Sequence, residues 1–292
     1  LSDSPMIPGR SYLMKCGSRK VPAEVTALKH RIDVNSGAHI AASSLNPNEI
    51  GFATLAFATP IAVDAFSGNR DTGSFILIDR MTNTTLGAGM IGFALRRASN
   101  IHPQKLEVDR AARSAMKRHK PAVFWFTGLS GAGKSTIASH VERKLSEMGA
   151  HTYVLDGDNL RGGINRDLGF TEADRVENVR RTTEVARLFA DAGLVVLVSL
   201  ISPYRAERLA ARERIGDDFI EVFVDTPIEL CKQRDPKGLY AKAARGEIKN
   251  FTGIDAPYEA PETPEIRLKT AGADSEVLAD QVVAYLRAKQ IL

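Results

Sequence analysis

The sequence predicts two folded units in one chain. An all-β domain occupies residues 1–98, and an α/β domain with a parallel sheet flanked by helices occupies 121–292. Three observations predict this. From residue 121, apolar β-prone runs alternate with helix-like runs, the pattern of a parallel sheet covered on both faces. One strand–helix junction there reads Gly128-Leu-Ser-Gly-Ala-Gly-Lys134-Ser135, which fits the P-loop pattern G-x-x-x-x-G-K-[ST]. Before residue 98, short alternating runs are separated by turn residues at close intervals. The 292 residues leave room for two domains of about 100–200 residues each.

In the first domain, strands are predicted over 11–15, 21–32, 50–57, 73–79 and 89–95. Asn46-Pro-Asn48, Ser67-Gly-Asn69 and Thr82-Asn-Thr84 mark turns between them, as in a barrel or sandwich. His30 and His39 have no cysteine or carboxylate pattern around them and are assigned structural roles. Residues 99–120 form a linker containing a helix over 106–120, whose Arg110, Arg113, Lys117, Arg118 and Lys120 make a solvated face. In the second domain, strands are expected over 122–127, 151–155, 194–201 and 219–224. Helices are expected over 134–148, 171–192, 204–214, 227–233 and 274–289. Ligands of such sheets bind at the carboxyl ends of the strands. The P-loop, Asp156-Gly-Asp158-Asn159 and Ile201-Ser202-Pro203 each follow a strand, so they converge on one edge.

The bulk properties narrow the setting. Hydrophobic residues make up 43% and charged residues 25%, an ordinary globular balance. A formal charge of +4 is too mild to argue for a nucleic-acid partner. No apolar run reaches the roughly 20 residues of a membrane span, and 193–201 reads as a buried strand. Cys16 and Cys231 lie far apart and suit the reducing cytoplasm. The start, Leu1-Ser-Asp-Ser-Pro, carries no signal-peptide pattern and no initiator methionine, so a longer parent chain is expected.

The motifs point to phosphoryl transfer. P-loop glycines turn backbone N–H groups toward an anion, and the helix that follows adds its dipole. Residues 128–136 (Gly128, Leu129, Ser130, Gly131, Ala132, Gly133, Lys134, Ser135 and Thr136) therefore form the nucleotide cradle. Lys134 reaches the β- and γ-phosphates, and the Ser135 hydroxyl is the expected Mg²⁺ ligand. No guanine-reading Asn-Lys-x-Asp exists, which argues against a GTPase. A domain of about 170 residues suits a small-metabolite kinase, which works by positioning and charge neutralisation. Asp156 and Asp158 end an apolar run beside the P-loop. Such a pair can supply one carboxylate to orient a hydroxyl and take its proton, and one to hold Mg²⁺ or its water. Arg161, Arg175, Arg180 and Arg181 suggest an anionic acceptor, while Arg166 is expected on the surface. Phe170 and Phe251 are either loop anchors or the two faces of a base sandwich. The segment 234–240 reads as a charged loop and short helix able to close as a lid.

Together these residues carry a resemblance. Residues 121–292 resemble adenylylsulfate (APS) kinase through the P-loop, Asp156-Gly-Asp-Asn-Leu-Arg161, Asp167-Leu-Gly-Phe170, Arg175 with Glu177-Asn178-Val-Arg-Arg181, Ile201-Ser-Pro-Tyr-Arg205, Asp235-Pro-Lys-Gly-Leu-Tyr240 and Asn250-Phe-Thr-Gly-Ile-Asp255. The family's usual His-Gly is replaced here by Gly162-Gly163. The resemblance implies ATP and Mg²⁺ as donor and cofactor, and adenosine 5′-phosphosulfate as acceptor. Arg161, Arg175 and Asn178 would then hold the phosphosulfate and ribose side, and Phe170 and Phe251 would stack on the adenine. Asp156 would be the base and Asp158 the Mg²⁺ support. Lys237 would be a lid charge near the transferring phosphate, with Gly238, Leu239 and Ile201 lining the acceptor. Ser202 falls where the family marks a phosphoserine, here expected to hydrogen-bond the acceptor. Residues 1–98 resemble, in part, the last barrel of the elongation-factor-like sulfate adenylyltransferase large subunit. The carrying segments are Pro8-Gly-Arg-Ser-Tyr-Leu-Met-Lys15, His30-Arg-Ile-Asp-Val-Asn35, Asn48-Glu-Ile-Gly51 and Asn69-Arg-Asp-Thr-Gly-Ser-Phe-Ile-Leu-Ile-Asp79. The resemblance implies a bifunctional parent, a homodimer, and docking of that parent to the sulfate adenylyltransferase small subunit. Another small-metabolite kinase, or a silent P-loop assembly module, are the alternatives.

Overall fold

Ala122–Thr127 (β7) shows why the second domain forms. All six of its residues are buried, so it reads as one continuous apolar run, as a strand covered on both faces must. Its side chains alternate between two cores. Phe124 and Phe126 join the side that receives Ile137, Val141, Val282 and Leu286. Val123 and Trp125 join the side that receives Val179, Ala186, Ala211 and Ile215. The computed structural model describes residues 4–95, 104, 107–248 and 250–292. The chain divides into two units, Leu1–Lys105 and Leu106–Leu292.

The first unit holds β1 (Ser11–Cys16), β2 (Arg19–Ile32), β3 (His39–Ile40), β4 (Ile50–Phe57), the short helix α1 (Arg70–Gly73), β5 (Ser74–Ile78) and β6 (Thr85–Met90). The strands form one antiparallel sheet in the order β3-β2-β1-β5-β6, with β4 also paired to β2. Tyr12, Met14, Val21, Ala23 and Val25 fill its core. Register shifts in the β2–β4 pairing curl the sheet, as the expected barrel requires. The strand expected over 89–95 lies earlier, at β6. His30 and His39 stack with ring centroids 3.8 Å apart, and His30 lies 5.8 Å from Phe52.

In the second unit, the expected linker helix is α2 (Arg110–Lys117); residues 99–103, 105 and 106 of that expectation lie outside the described residues. Arg110 and Arg113 of α2 pair with Asp218 and Asp191. The sheet is parallel throughout, in the order β11-β10-β7-β9-β8. Its other strands are β8 (Thr152–Asp156), β9 (Val195–Ser199), β10 (Phe219–Asp225) and β11 (Ile266–Lys269). The helices are α3 (Lys134–Glu147), α4 (Gly157–Gly162), α5 (Glu172–Asp191), α6 (Arg205–Ile215), α7 (Ile228–Arg234), α8 (Leu239–Ala244) and α9 (Ser275–Ala288). The strand β11 and the helix α4 were not expected. Thr171 and Asp174 form a reciprocal capping box that starts α5 just after Phe170. Among the described residues, no helix is long and apolar enough to cross a membrane.

The strand order reverses around β7, so a crevice opens where β7, β8 and β9 end. Thr127, Asp156 and Ser199 are the last residues of those strands.

Candidate active site

A cleft of about 1210 Å³ lies at this edge, wholly within the second unit. It exceeds the roughly 300–1,000 Å³ of a single small-molecule pocket. The P-loop residues from Ser130 to Thr136 line it, together with both aspartates of the Asp-Gly-Asp segment. Gly128 and Leu129 sit behind them. Gly128 has φ 150°, and a Cβ there would meet the Val224 carbonyl oxygen at 2.7 Å, so only glycine lets the loop leave β7 this close to β10.

Lys134 opens α3 and is buried. Its ammonium donates to the carbonyl oxygens of Gly128 (3.0 Å) and Leu129 (2.8 Å). Burial pulls its pKa down to about 8, against weaker support from Cys231 and Asp156. The Ser135 hydroxyl donates to Asp156 Oδ2 at 2.7 Å and lies 3.1 Å from the Ser199 hydroxyl. Asp156 Oδ1 accepts from the Asp158 backbone N–H at 3.0 Å, capping α4. Both oxygens of Asp156 therefore face the P-loop side and the helix cap. Asp158 points elsewhere, forming an ion pair with Lys237 in the lid segment.

The cleft is also lined by Arg161, Arg175 and the two phenylalanines. Arg161 donates to the carbonyls of Leu168 (3.2 Å) and Gly169 (2.8 Å), and its guanidinium stacks over Phe170 at 4.5 Å. Its pKa is lowered by burial first and then by the charge of the buried Arg175. An anion there would relieve both effects. Arg175 differs from expectation: its guanidinium donates to the Phe170 carbonyl (3.1 Å), the Thr252 hydroxyl (2.5 Å) and the Asn250 carbonyl. It thus ties the Phe170 loop to the Phe251 loop. Asn178 lines the cleft one turn further along α5, with its Oδ1 accepting from Asn165 Nδ2 at 2.9 Å. Arg180 and Arg181, expected near the acceptor, are instead paired with Glu177, and Arg181 also with Asp167. Arg166 is exposed, as expected.

Phe170 is 59% exposed, whereas Phe251 is buried edge-on against Tyr240 at 4.9 Å. The Tyr240 hydroxyl donates to the Ser130 carbonyl at 3.0 Å, linking α8, the P-loop and Phe251. Leu239 lines the cleft, while Gly238 turns the chain into α8 with φ 64°. Ile201 and Ser202 line the wall beside β9. Ser202 is a buried residue with φ 38°, and its hydroxyl accepts from the Trp125 indole N–H at 3.0 Å. Its carbonyl accepts from Arg208 Nη1 at 2.7 Å. Ser202 is therefore anchored into the core. Arg234 lines the cleft without having been singled out, donating to the Ala132 carbonyl at 3.2 Å. Ser199 and Asn165 were likewise missed: Ser199 ends an apolar strand, and Asn165 is an uncharged residue among the more conspicuous Gly162-Gly163 and Arg166-Asp167.

Comparison with known proteins decides among the P-loop families. The model of the family described as adenylylsulphate kinase matches residues 120–269, just over half of the chain. The chain belongs to the adenylylsulphate kinase family. This is a family of phosphotransferases, and a second model, described as GTP-eEF1A C-terminal domain-like, matches residues 1–92. The bifunctional enzyme NodQ of Rhizobium sp. (strain N33) is 61% identical over 287 residues, which cover 98% of this chain and 44% of that relative. The bifunctional enzyme CysN/CysC of Xylella fastidiosa is 53% identical over 287 residues, covering 98% of this chain and 46% of the relative. The chain thus spans about half the length of the curated relatives it matches. Among solved structures, the Mycobacterium tuberculosis APS kinase CysC in complex with AMPPNP and APS is 53% identical. It aligns with a TM-score of 0.56, covering 58% of this chain and 99% of that one. The kinase-family match and the sheet order agree on a P-loop fold for the second unit.

Proposed function

We propose that this chain transfers the γ-phosphoryl group of ATP to the ribose 3′-hydroxyl of adenosine 5′-phosphosulfate, giving ADP and the 3′-phosphorylated product. The observation that carries this reading is the composition of the cleft. A P-loop with Lys134 and Ser135, two carboxylates, Arg161, Arg175, Phe170 and Phe251 all line this one cleft, which is larger than a single small molecule needs.

The nucleotide triphosphate rests on the N–H groups of residues 130–136, with Lys134 turning from the loop carbonyls to its phosphates. The residues fit a Mg²⁺ ion: the Ser135 hydroxyl and the Asp156 carboxylate, 2.7 Å apart beside the P-loop, are the hard oxygen donors that ion takes directly or through water. When bound, Mg²⁺ neutralises charge on the β- and γ-phosphate oxygens. Because Asp156 is committed to Ser135 and to the α4 cap, the base role expected for it passes in this proposal to Asp158. Asp158 orients the 3′-hydroxyl and takes its proton as the ribose oxygen bonds to the γ-phosphorus and the bridging bond to ADP breaks. Lys237, already paired with Asp158, lies beside the transferring charge. Arg161 and Asn178 bind the phosphosulfate side, Arg175 holds the Phe170 and Phe251 loops in place, and these rings flank the adenine. Ser202 positions the wall of the acceptor site through its backbone.

We also take the chain to form a homodimer and, within a longer parent, to dock the sulfate adenylyltransferase small subunit through its first unit. Its two cysteines, free and buried, fit a cytoplasmic protein.

Release of ADP from Mg·ATP, profiled over acceptors, tests the reading. Turnover that depends on adenosine 5′-phosphosulfate is expected. Turnover with a sugar or another nucleotide instead would mark a different small-metabolite kinase. ATP binding without turnover on any acceptor would favour an assembly module.

A further inference from the structure

Asn165 is fully buried in the turn after α4, and nothing in the proposed chemistry uses it. Its backbone is fixed at both ends: its N–H donates to the Leu160 carbonyl at 2.9 Å, and its carbonyl accepts from the Leu168 N–H at 3.1 Å. Its side-chain Nδ2 donates to Asn178 Oδ1 at 2.9 Å, while its own Oδ1 is buried without a partner. A buried orphan acceptor is costly and calls for an explanation. Asn178 is itself buried apart from the part that lines the cleft. With Asn178 Oδ1 occupied by Asn165, the group left for the cleft is Asn178 Nδ2, which has no protein acceptor among the described residues.

An asparagine amide offers a donor on one side and an acceptor on the other. Which one meets a ligand depends on what holds the opposite side. Flipping both amides together would turn an acceptor to the cleft and leave Asn165 Nδ2 as the buried orphan instead. The structure holds the unflipped arrangement, in which Asn165 Nδ2 bonds Asn178 Oδ1 and Asn178 Nδ2 is left for the cleft. Arg161, Arg175 and Asn178 line the same cleft, so an anion drawn to the arginines meets a donor at Asn178 in this arrangement.

We propose that Asn165 is a positioning residue for the acceptor end of the cleft. It holds Asn178 with Nδ2 outward, so that this position selects a ligand oxygen that only accepts hydrogen bonds, as in a phosphate or sulfate. The inference rests on the functional reading above and deepens it.

The test compares Asn165→Leu, which removes the donor at similar volume, with Asn165→Asp, which keeps the shape and demands a donor from Asn178. Each is combined with Asn178→Leu, and the melting temperature of each variant is recorded. Both single variants are expected to raise KM for adenosine 5′-phosphosulfate about tenfold, the effect of one hydrogen bond, and KM for ATP less than about twofold. Neither should add to the effect of Asn178→Leu. An unchanged acceptor KM, equal rises in both KM values, or additive effects would each overturn the role of Asn165. If the variants do not fold, the wild-type protein still decides. The Asn178 side-chain amide resonance is expected to shift on saturation with adenosine 5′-phosphosulfate and not with ATP; no shift overturns the proposal. Wild-type protein that turns over no adenosine 5′-phosphosulfate overturns the functional reading itself. Normal wild-type turnover with unmoved variants overturns only the Asn165 role.

Discussion

Lys134 is the side chain whose charge state links binding to pH. Burial holds its pKa at about 8 in the free protein, against an ordinary 10.5. Phosphates favour the ammonium, so nucleotide binding raises that pKa. Between these two values, binding takes up a proton and affinity falls as pH rises. The stability sign follows from the same burial. The folded state pays for a buried cation below about pH 8, and that penalty fades between 8 and 10.5, so the free protein gains stability over this window. Calorimetry near about pH 9 in buffers of different ionisation heat should detect uptake of part of a proton with ATP. The two carboxylates should separate equally cleanly. Asp158→Asn is expected to lower kcat by about 10²–10⁴ with little change in Mg²⁺ dependence. Asp156→Asn should move the Mg²⁺ midpoint upward. A Mg²⁺ titration of both variants checks this, and the reverse pattern would return the base to Asp156. Lys134 and Ser135 were legible in the sequence because the P-loop motif encodes its own backbone geometry. The use of Arg175 was not, because its partners Asn250 and Thr252 lie some 75 residues away and two of its three bonds go to backbone carbonyls.

At the scale of elements, the wall of the acceptor site hangs on one buried ion pair. Arg208 of α6 pairs with Glu221 of β10 at 2.7 Å and also donates to the carbonyls of Ser202 and Glu259 at 2.7 Å. Arg208→Met removes the nearer cation from the buried Glu221, leaving only Arg212 at 3.8 Å, and takes the shorter of two hydrogen bonds from the Ser202 carbonyl. Urea unfolding should show a loss of about 3–5 kcal/mol. Relief on adding Glu221→Gln would confirm that the pair, and not packing alone, is responsible. Long apolar strands such as β7 and β9 were legible because burial on both faces leaves an unbroken apolar run. The strand β6 was displaced in the reading because it is rich in glycine. The ring of Phe75 occupies the space over Gly89, where a Cβ would lie 2.3 Å from it, so a cross-strand contact replaces a side-chain signal. The four-residue edge strand β11 was missed because Ile266 and Leu268 alone carry its inward face.

At the scale of the whole molecule, every residue that lines the cleft belongs to the second unit. The separate core of the first unit is built from β1, β2 and β5. A fragment of residues 107–292 is therefore expected to fold alone and retain kcat within about threefold. Loss of folding would show that the first unit supplies stability to the second. The division into a barrel and a P-loop domain was legible because period-two runs give way to alternating strands and helices at one place in the chain. How the arginines divide between acceptor binding and structure was not, since each one alone reads as a surface charge. The central claim is that the phosphoryl group goes to the ribose 3′-oxygen of adenosine 5′-phosphosulfate. The direct measurement is to supply ATP labelled at the γ-phosphate and locate the label in the product with a 3′-specific nucleotidase. Label that enters the product only with adenosine 5′-phosphosulfate present and is released by the 3′-nucleotidase is the predicted result. Label found in inorganic phosphate, or at a position the 3′-nucleotidase does not cleave, would contradict it.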